Sequence, residues 1–195
     1  DGAKNDIHRL TIARSTNNYN TGLFGRAQGA TISKIGLTDV NIVGKYWVGP
    51  LVGLAYTTEI SSCYATSGTV TGTNQVGGLV GYLYYYSSIT NSYSNIDNVT
   101  SSSSNIGGLV GRISTSTILN SYSTGKVVST SSYRGGLVGH TTSSSTVTDS
   151  FYDNETSGQS DTGKGIGKST SQMKTMTTFT DISSADLNGS WDFYS

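Results

Sequence analysis

The chain has one cysteine, one proline and two histidines in 195 residues, and only 12% of its side chains are charged. That is about half the usual charged share. Each shortage excludes something. Cys63 stands alone, so no intrachain disulfide can form, and a lone thiol is expected to pack as a small buried apolar group. Sparse cysteine is compatible with secretion but does not establish it. His8 and His140 have no cysteine or carboxylate at ligand spacing, so no zinc site is indicated. The 12 basic and 12 acidic residues cancel, and no Lys or Arg lies between Tyr46 and Gly111. A nucleic-acid partner needs a basic stripe to displace counterions from phosphates, and none is offered. No apolar run approaches the length of a membrane span, and the first residues do not read as a signal peptide. Disorder goes with high net charge and few aromatics; here there are 13 Tyr and no net charge, which is the profile of a folded, polar-surfaced β protein.

What the chain does have is a repeat. Gly22-Leu23-Phe24-Gly25, Pro50-Leu51-Val52-Gly53, Gly78-Leu79-Val80-Gly81, Gly108-Leu109-Val110-Gly111 and Gly136-Leu137-Val138-Gly139 follow one another at leucine-to-leucine steps of 28, 28, 30 and 28 residues. A fixed period of this size marks a stacked architecture, in which one repeat cannot bury its own apolar face but its neighbours make a continuous core. Within each period come a β-branched residue (Ile32, Ile60, Ile89, Ile118, Val147) and, three residues on, a smaller or medium one (Ile35, Cys63, Ser92, Ser121, Ser150). From the second repeat an aromatic follows directly: Tyr64, Tyr93, Tyr122, Phe151. The segments are rich in Thr, Val, Ile, Tyr, Ser and Gly and show no 3.6-residue apolar period, so strands are favoured over helices.

Three short strands per period, with like positions stacked, describe an all-β parallel β-helix of about five to six coils over residues 1–155. A coil of ~28 residues at ~3.3 Å each has a path of at most ~92 Å, enough for three sides and their turns. Two core columns are expected: Leu23, Leu51, Leu79, Leu109 and Leu137 on one side, and Ile32, Ile60, Ile89, Ile118 and Val147 on another. Because Leu and Val are adjacent in the motif, either its glycines kink the strand or both strand faces are covered. The two-residue excess of the third coil is expected to bulge in a turn at 100–104.

The phrases Val76-Gly77-Gly78-Leu79-Val80-Gly81, Ser61-Ser62-Cys63-Tyr64-Ala65-Thr66 and Ile106-Gly107-Gly108-Leu109-Val110-Gly111 resemble the GLUG-motif repeats of bacterial surface proteins. The likeness runs over roughly residues 20–193, including tail pieces such as Ser150-Phe151-Tyr152-Asp153 and Trp191-Asp192-Phe193. It departs at Gly36, where other repeats have Tyr or Phe, and at Pro50, which replaces a Gly. The resemblance implies an extracellular, cell-surface β-helix of adhesin-like proteins, some of which also carry a peptidase domain; no peptidase motif is present here, and the repeat has no shared catalytic residues.

Other motifs are weaker. A phosphate loop needs four residues between its first glycine and Gly167-Lys168, which puts that glycine at Thr162, so the segment 162–170 reads as a capping loop. Asp153, Glu155 and Ser157 mimic the start of a calcium loop, but its twelfth position is Lys164. A looser calcium site on Asp153, Glu155 and Asp161 stands beside the plainer reading of a solvated loop, and no other cofactor is implied. Acidic residues fall in different phases of the repeat, without the clustered carboxylates of a polysaccharide-cleaving site. The chain is therefore read as no enzyme. Asn98, Asn154 and Asn188 begin glycosylation sequons by pattern. Tyr82-Leu83-Tyr84-Tyr85-Tyr86 is the most unusual local feature; alternation places Tyr82, Tyr84 and Tyr86 on one face and Leu83 and Tyr85 on the other. Stiff rings with hydrogen-bonding tips suit contact with sugars or proteins, so Tyr82, Tyr84, Tyr85 and Tyr86 form the expected contact surface.

Three functions follow as expectations: a noncatalytic extracellular structural or adhesive module of a microbial surface protein, a subunit that assembles end to end through open rungs into a filament, and a carbohydrate-binding β-helix. The partners are neighbouring domains, other copies, glycans or a host surface. Residues 156–195 lose the period and are expected to cap the last coil, with a short helix within 169–178 and Trp191 as anchor.

Overall fold

The computed structural model describes residues 6–14, 19–142 and 144–181. The chain winds into a parallel β-solenoid of about five turns with three sides. One side, the motif sheet, stacks Phe24–Gln28, Val52–Tyr56, Val80–Tyr84, Val110–Ser114 and Val138–Thr141. The isoleucine sheet stacks Thr31–Ser33, Glu59–Ser61, Ser88–Thr90, Thr117–Leu119 and Thr146–Thr148. The third side is longer and bent. In the second full turn it is the single run Tyr64–Gly77, which pairs in succession with Tyr93–Asn95 and Asn98–Gly107 of the next turn. The strand pairs between turns are parallel, and the motif sheet keeps register throughout, Val52 beside Val80 beside Val110 beside Val138.

Register sends the repeat's apolar residues into one column each. Leu51, Leu79, Leu109 and Leu137 are fully buried, as are Ile89 and Ile118, with Ile60 at 1% exposure; Leu23 and Val147, in the terminal turns, are only half-buried. Each full burial contributes about 1.5–3 kcal/mol relative to exposure. Both residues of Leu-Val are buried, and the hydrogen bonds show why. The N–H groups of Leu79 and Val80 both donate to the carbonyl of Leu109, at 2.9 and 3.1 Å, and those of Leu109 and Val110 both donate to Leu137, at 2.9 and 3.1 Å. Two consecutive donors on one acceptor kink the chain at the corner, so strict alternation does not apply there. The motif's last glycine is a close-approach residue: a Cβ on Gly81 would collide with the backbone of Trp47 and Val48, and one on Gly111 with that of Gln75 and Val76.

Polar residues inside the corners form two serine ladders. The Ser92 hydroxyl oxygen accepts from the Cys63 N–H (3.1 Å) while the hydroxyl donates to the Thr90 carbonyl (2.8 Å); Ser121 and Ser150 repeat this one and two turns on. Ser87 and Ser116 do the same at the other corner. Each side chain satisfies a backbone donor where the sheets break, which keeps a buried corner free of orphaned N–H groups. Cys63 occupies the first rung of its ladder, fully buried, and burial pushes its thiol pKa up.

The third coil's excess is divided, contrary to the single bulge expected. One residue lies at the Tyr85–Tyr86 corner, where Thr58 corresponds to Ser87, and one at the register shift between Gly72–Asn74 and Ser101–Ser104. The described residues 156–181 pack against the solenoid. Ile166–Lys168 adds a parallel strand to Phe151–Asp153. In place of one short helix there are two single turns, Thr170–Met173, with a Ser169–Gln172 capping box, and Thr177–Thr180. Trp191, the expected anchor, lies outside the described residues. Tyr152 does the visible work of closure: its column runs Ala65, Ser94, Ser123, Tyr152, so a large ring replaces small side chains in the last turn, against Gly136 and 1% exposed.

Candidate functional site: an aromatic platform on the flank

The motif sheet aims Leu83 into the core, where it is fully buried, and leaves Tyr82 and Tyr84 on its outer side. At the following corner Tyr85 (φ 50°) and Tyr86 (φ 58°) both take left-handed backbone. That breaks alternation: Tyr85 is 42% exposed and Tyr86 69%, on the outside with the other two rather than opposite them. The four tyrosines stand together, and neighbouring turns add more rings. Tyr56, in register with Tyr84, stacks on Tyr85 at 5.3 Å and 15°. Tyr82 meets Tyr84 at 5.1 Å and Trp47 at 6.3 Å, and Tyr19 bridges Trp47 (5.5 Å) to Tyr46 (4.9 Å, 14°). The result is an unbroken chain of eight rings spread over three turns.

Cations border the rings. Arg26 lies 5.8 Å from the Tyr56 ring centre, Lys45 5.3 Å from Tyr46 and Arg112 5.2 Å from Tyr82. Neither Arg26 nor Arg112 takes part in the ion pairs Arg9–Asp39 and Lys164–Asp161 among the described residues. A chain of zero net charge thus carries a local patch of rings and positive charge. Three of the rings sit at costly positions. Trp47 (φ 48°) shares its column with Asn20, Gln75 and Asn105, and Tyr85 shares its column with Gly29, Thr57 and Thr115, all with left-handed backbone. Gly and Asn adopt that backbone readily; a bulky side chain there costs of order 1–3 kcal/mol.

A second set of rings lines the bent side. Tyr64, Tyr93 and Tyr122 stack at 5.0 and 4.9 Å with planes within 7° and 1°. Phe151 continues the column and Phe179 meets it edge-on at 5.5 Å. Beneath the ladder, Gly36 lies where a Cβ would strike the Tyr64 ring, and the Tyr64 hydroxyl donates to Asp6. That bond, and then burial, pushes the Tyr64 pKa up to about 12; burial chiefly does the same for Tyr122. A groove of about 700 Å³ runs between Tyr93, Asn95, Tyr122 and Thr124 on the sheet and Met173 and Phe179 of the tail.

The remaining candidates serve the architecture. Asp153 caps Asn154–Ser157 through the N–H groups of Glu155 and Thr156 and accepts from the Thr170 hydroxyl at 2.7 Å; Glu155 accepts from the Thr170 N–H at 2.9 Å. Asp161 instead accepts from the Gly136 N–H (2.9 Å) and pairs with Lys164 (3.5 Å). Among the described residues no three His, Cys, Asp or Glu side chains are grouped to hold a metal. The segment 162–170 supplies a strand and a helix cap, and the Lys164 ammonium donates to the Arg134 and Gly139 carbonyls. No described helix is long and apolar enough to cross a membrane. Sequence reasoning missed Tyr19, Tyr46, Trp47, Tyr56 and the arginines. Tyr56, one 28-residue period before Tyr84, and Arg26 and Arg112, which follow the motif's last glycine as Tyr82 does, were within reach of the repeat.

The fold and flank define a parallel β-solenoid repeat with a lateral aromatic surface. Residues 72–100 and 102–128 match the family model described as the GLUG motif, so two adjacent turns are GLUG repeats. Among solved structures the chain is similar to the crystal structure of a "putative immunoglobulin A1 protease" from Bacteroides ovatus, with 24% identity and a TM-score of 0.64. The match covers 76% of this chain and 49% of that one, so this chain spans about half the length of that structure, and the likeness establishes the fold. None of the curated proteins matches the sequence.

Proposed function

We propose that this chain is a noncatalytic, extracellular adhesive module of a microbial surface protein, and that its aromatic platform contacts glycans. The observation that carries this is the unbroken run of eight aromatic rings on one flank, with Tyr19, Tyr85 and Tyr86 58%, 42% and 69% exposed. Tyr and Trp faces stack on the C–H faces of sugars while their polar tips hydrogen-bond hydroxyls. The noncatalytic part rests on the carboxylates: Asp6, Asp39, Asp97, Asp153, Glu155 and Asp161 each hold a phenol, a cation, a backbone N–H or a hydroxyl. Side chains of 156–164 occupy part of the C-terminal edge, at Thr124, Val127, Arg134, Gly136 and Gly139, while Thr146–Thr148 and Ile166–Lys168 end their sheets.

A glycan array probed with the intact chain tests the reading. Binding is expected, and a Tyr84→Ala/Tyr86→Ala variant should weaken it roughly tenfold or more with little change in melting, since hot-spot aromatics typically carry over 1 kcal/mol each. Failure to bind any glycan, or unchanged binding by the variant, would sink the contact reading. Cleavage of immunoglobulin A1 by the purified chain would overturn the noncatalytic one.

A further inference from the structure

The rings of the flank fall into two exposed groups. Tyr19 stands with Tyr46 and Trp47 where the chain enters the motif sheet, and Tyr85 and Tyr86 stand with Tyr56 where it leaves. Between the groups the run is less open: Tyr82 and Tyr84 are half-buried, and Arg112 lies over the Tyr82 ring. The motif strand that separates them, Val80–Tyr84, is five residues long, so the groups stand about 13–17 Å apart along it. Neighbouring rings also turn against one another, by 50° from Tyr19 to Trp47, 41° from Trp47 to Tyr82, 51° from Tyr84 to Tyr85 and 65° from Tyr85 to Tyr86. Rings in one plane would suit the flat face of a crystalline polysaccharide. Rings that twist along the run suit a single chain, which can rotate at its linkages.

We infer that the platform takes one soluble, extended β-1,4-linked glycan chain, which runs along the motif strands and is gripped at both corners. The inference rests on the glycan-contact reading and narrows it to a polymer, not a terminal sugar. In a β-1,4 glucan or chitin chain the ring substituents are equatorial, so the chain is straight and each sugar turns apolar C–H faces to an aromatic ring. Chains with α-linkages coil away from the line between the corners. A sugar that touches one group gains that group alone. A chain that reaches both makes its second contact intramolecularly, with a gain set by effective concentration.

Titration calorimetry with cellobiose and cellohexaose, and with N-acetylated chitobiose and chitohexaose, tests this on the intact chain. In at least one series the hexaose is expected to bind at least about thirtyfold more tightly than the biose. Tyr19→Ala and Tyr86→Ala, both at exposed positions, should each bring the hexaose to within about fivefold of the biose, the statistical gain of a longer chain, with melting unchanged. Equal affinity for biose and hexaose, or an advantage that survives either substitution, overturns the two-corner grip and leaves the glycan reading standing. Retention on microcrystalline cellulose or crystalline chitin as tight as hexaose binding overturns the single-chain assignment. Absence of binding in both series overturns the inference as a whole; a glycan array that still shows binding keeps the contact reading, and an empty array overturns that as well.

Discussion

At the C-terminal end of the solenoid Tyr152 fills the last turn, its hydroxyl donating to the Asp161 carbonyl at 2.6 Å, and a tail lies along the exposed edge. Thr156 donates to the Thr124 carbonyl, Lys164 to those of Arg134 and Gly139, and Asp161 accepts from Gly136. The N-terminal end has no counterpart among the described residues. Leu10, Ile12, Leu23 and Ile35 are only half-buried there, and Ile7, Tyr19 and Phe24 are 37%, 58% and 39% exposed. The two ends carry the same strand pattern, so the difference lies in what meets the last open rung. A parallel rung with free N–H and C=O groups is a template for another chain. At the C-terminal end the side-chain tips of Thr156, Asp161 and Lys164 meet some of those groups, and the strand Ile166–Lys168 meets others.

The sharpest way to break this comparison is to empty the closed end. Tyr152→Ala should cost about 3 kcal/mol or more in urea denaturation, because the ring has no neighbour that can collapse into its place. Leu23→Ala, at the open end, should cost only about 1–2 kcal/mol, since half the side chain already meets water. Equal costs would show that both ends are closed alike. Next in size, Asp161→Ala should remove about 1–2 kcal/mol by orphaning the Gly136 N–H. It should also promote concentration-dependent association, read by sedimentation or size exclusion; a stable monomer would mean that the side-chain cap does not protect the edge.

The smallest effect separates the two ends by titration. Tyr64, near the N-terminal end, and Tyr122 and Tyr152, near the C-terminal end, all have pKa values of about 12 against an ordinary 10. Folding therefore favours their neutral forms; the stability this gives is fully present below about pH 10 and is lost as pH rises towards 12. Gly36→Ala should push the Tyr64 ring off Asp6 and return one phenol towards 10 in phenolate absorbance, leaving the other two unmoved. Stability should change by about 1 kcal/mol or less at neutral pH. If all three phenols shift together, the ladder behaves as one unit and not as two independent ends.

How much of this was legible depended on the range of the interaction. The repeat placed Leu51, Leu79, Leu109 and Leu137 in one column because a fixed period forces like residues to stack. It could not divide the third coil's two extra residues, since a corner and a bulge absorb one residue equally cheaply. It recognised Tyr82, Tyr84, Tyr85 and Tyr86 but put Tyr85 on the wrong side, because alternation assumes a strand where the backbone in fact turns left-handed. Tyr152 was visible as an odd residue in the Ala65, Ser94, Ser123 column only once that column was known to face inward.

By itself, then, the sequence determined the solenoid class, its period, its apolar columns and the lack of an intrachain disulfide, all of which follow from periodicity and composition. The tertiary structure alone decided which rings share a flank, how the corners satisfy their N–H groups, and which side chains meet the C-terminal rung. Those features arise between turns 28 to 30 residues apart, where one inserted residue changes which side chains meet, and no local propensity encodes that outcome.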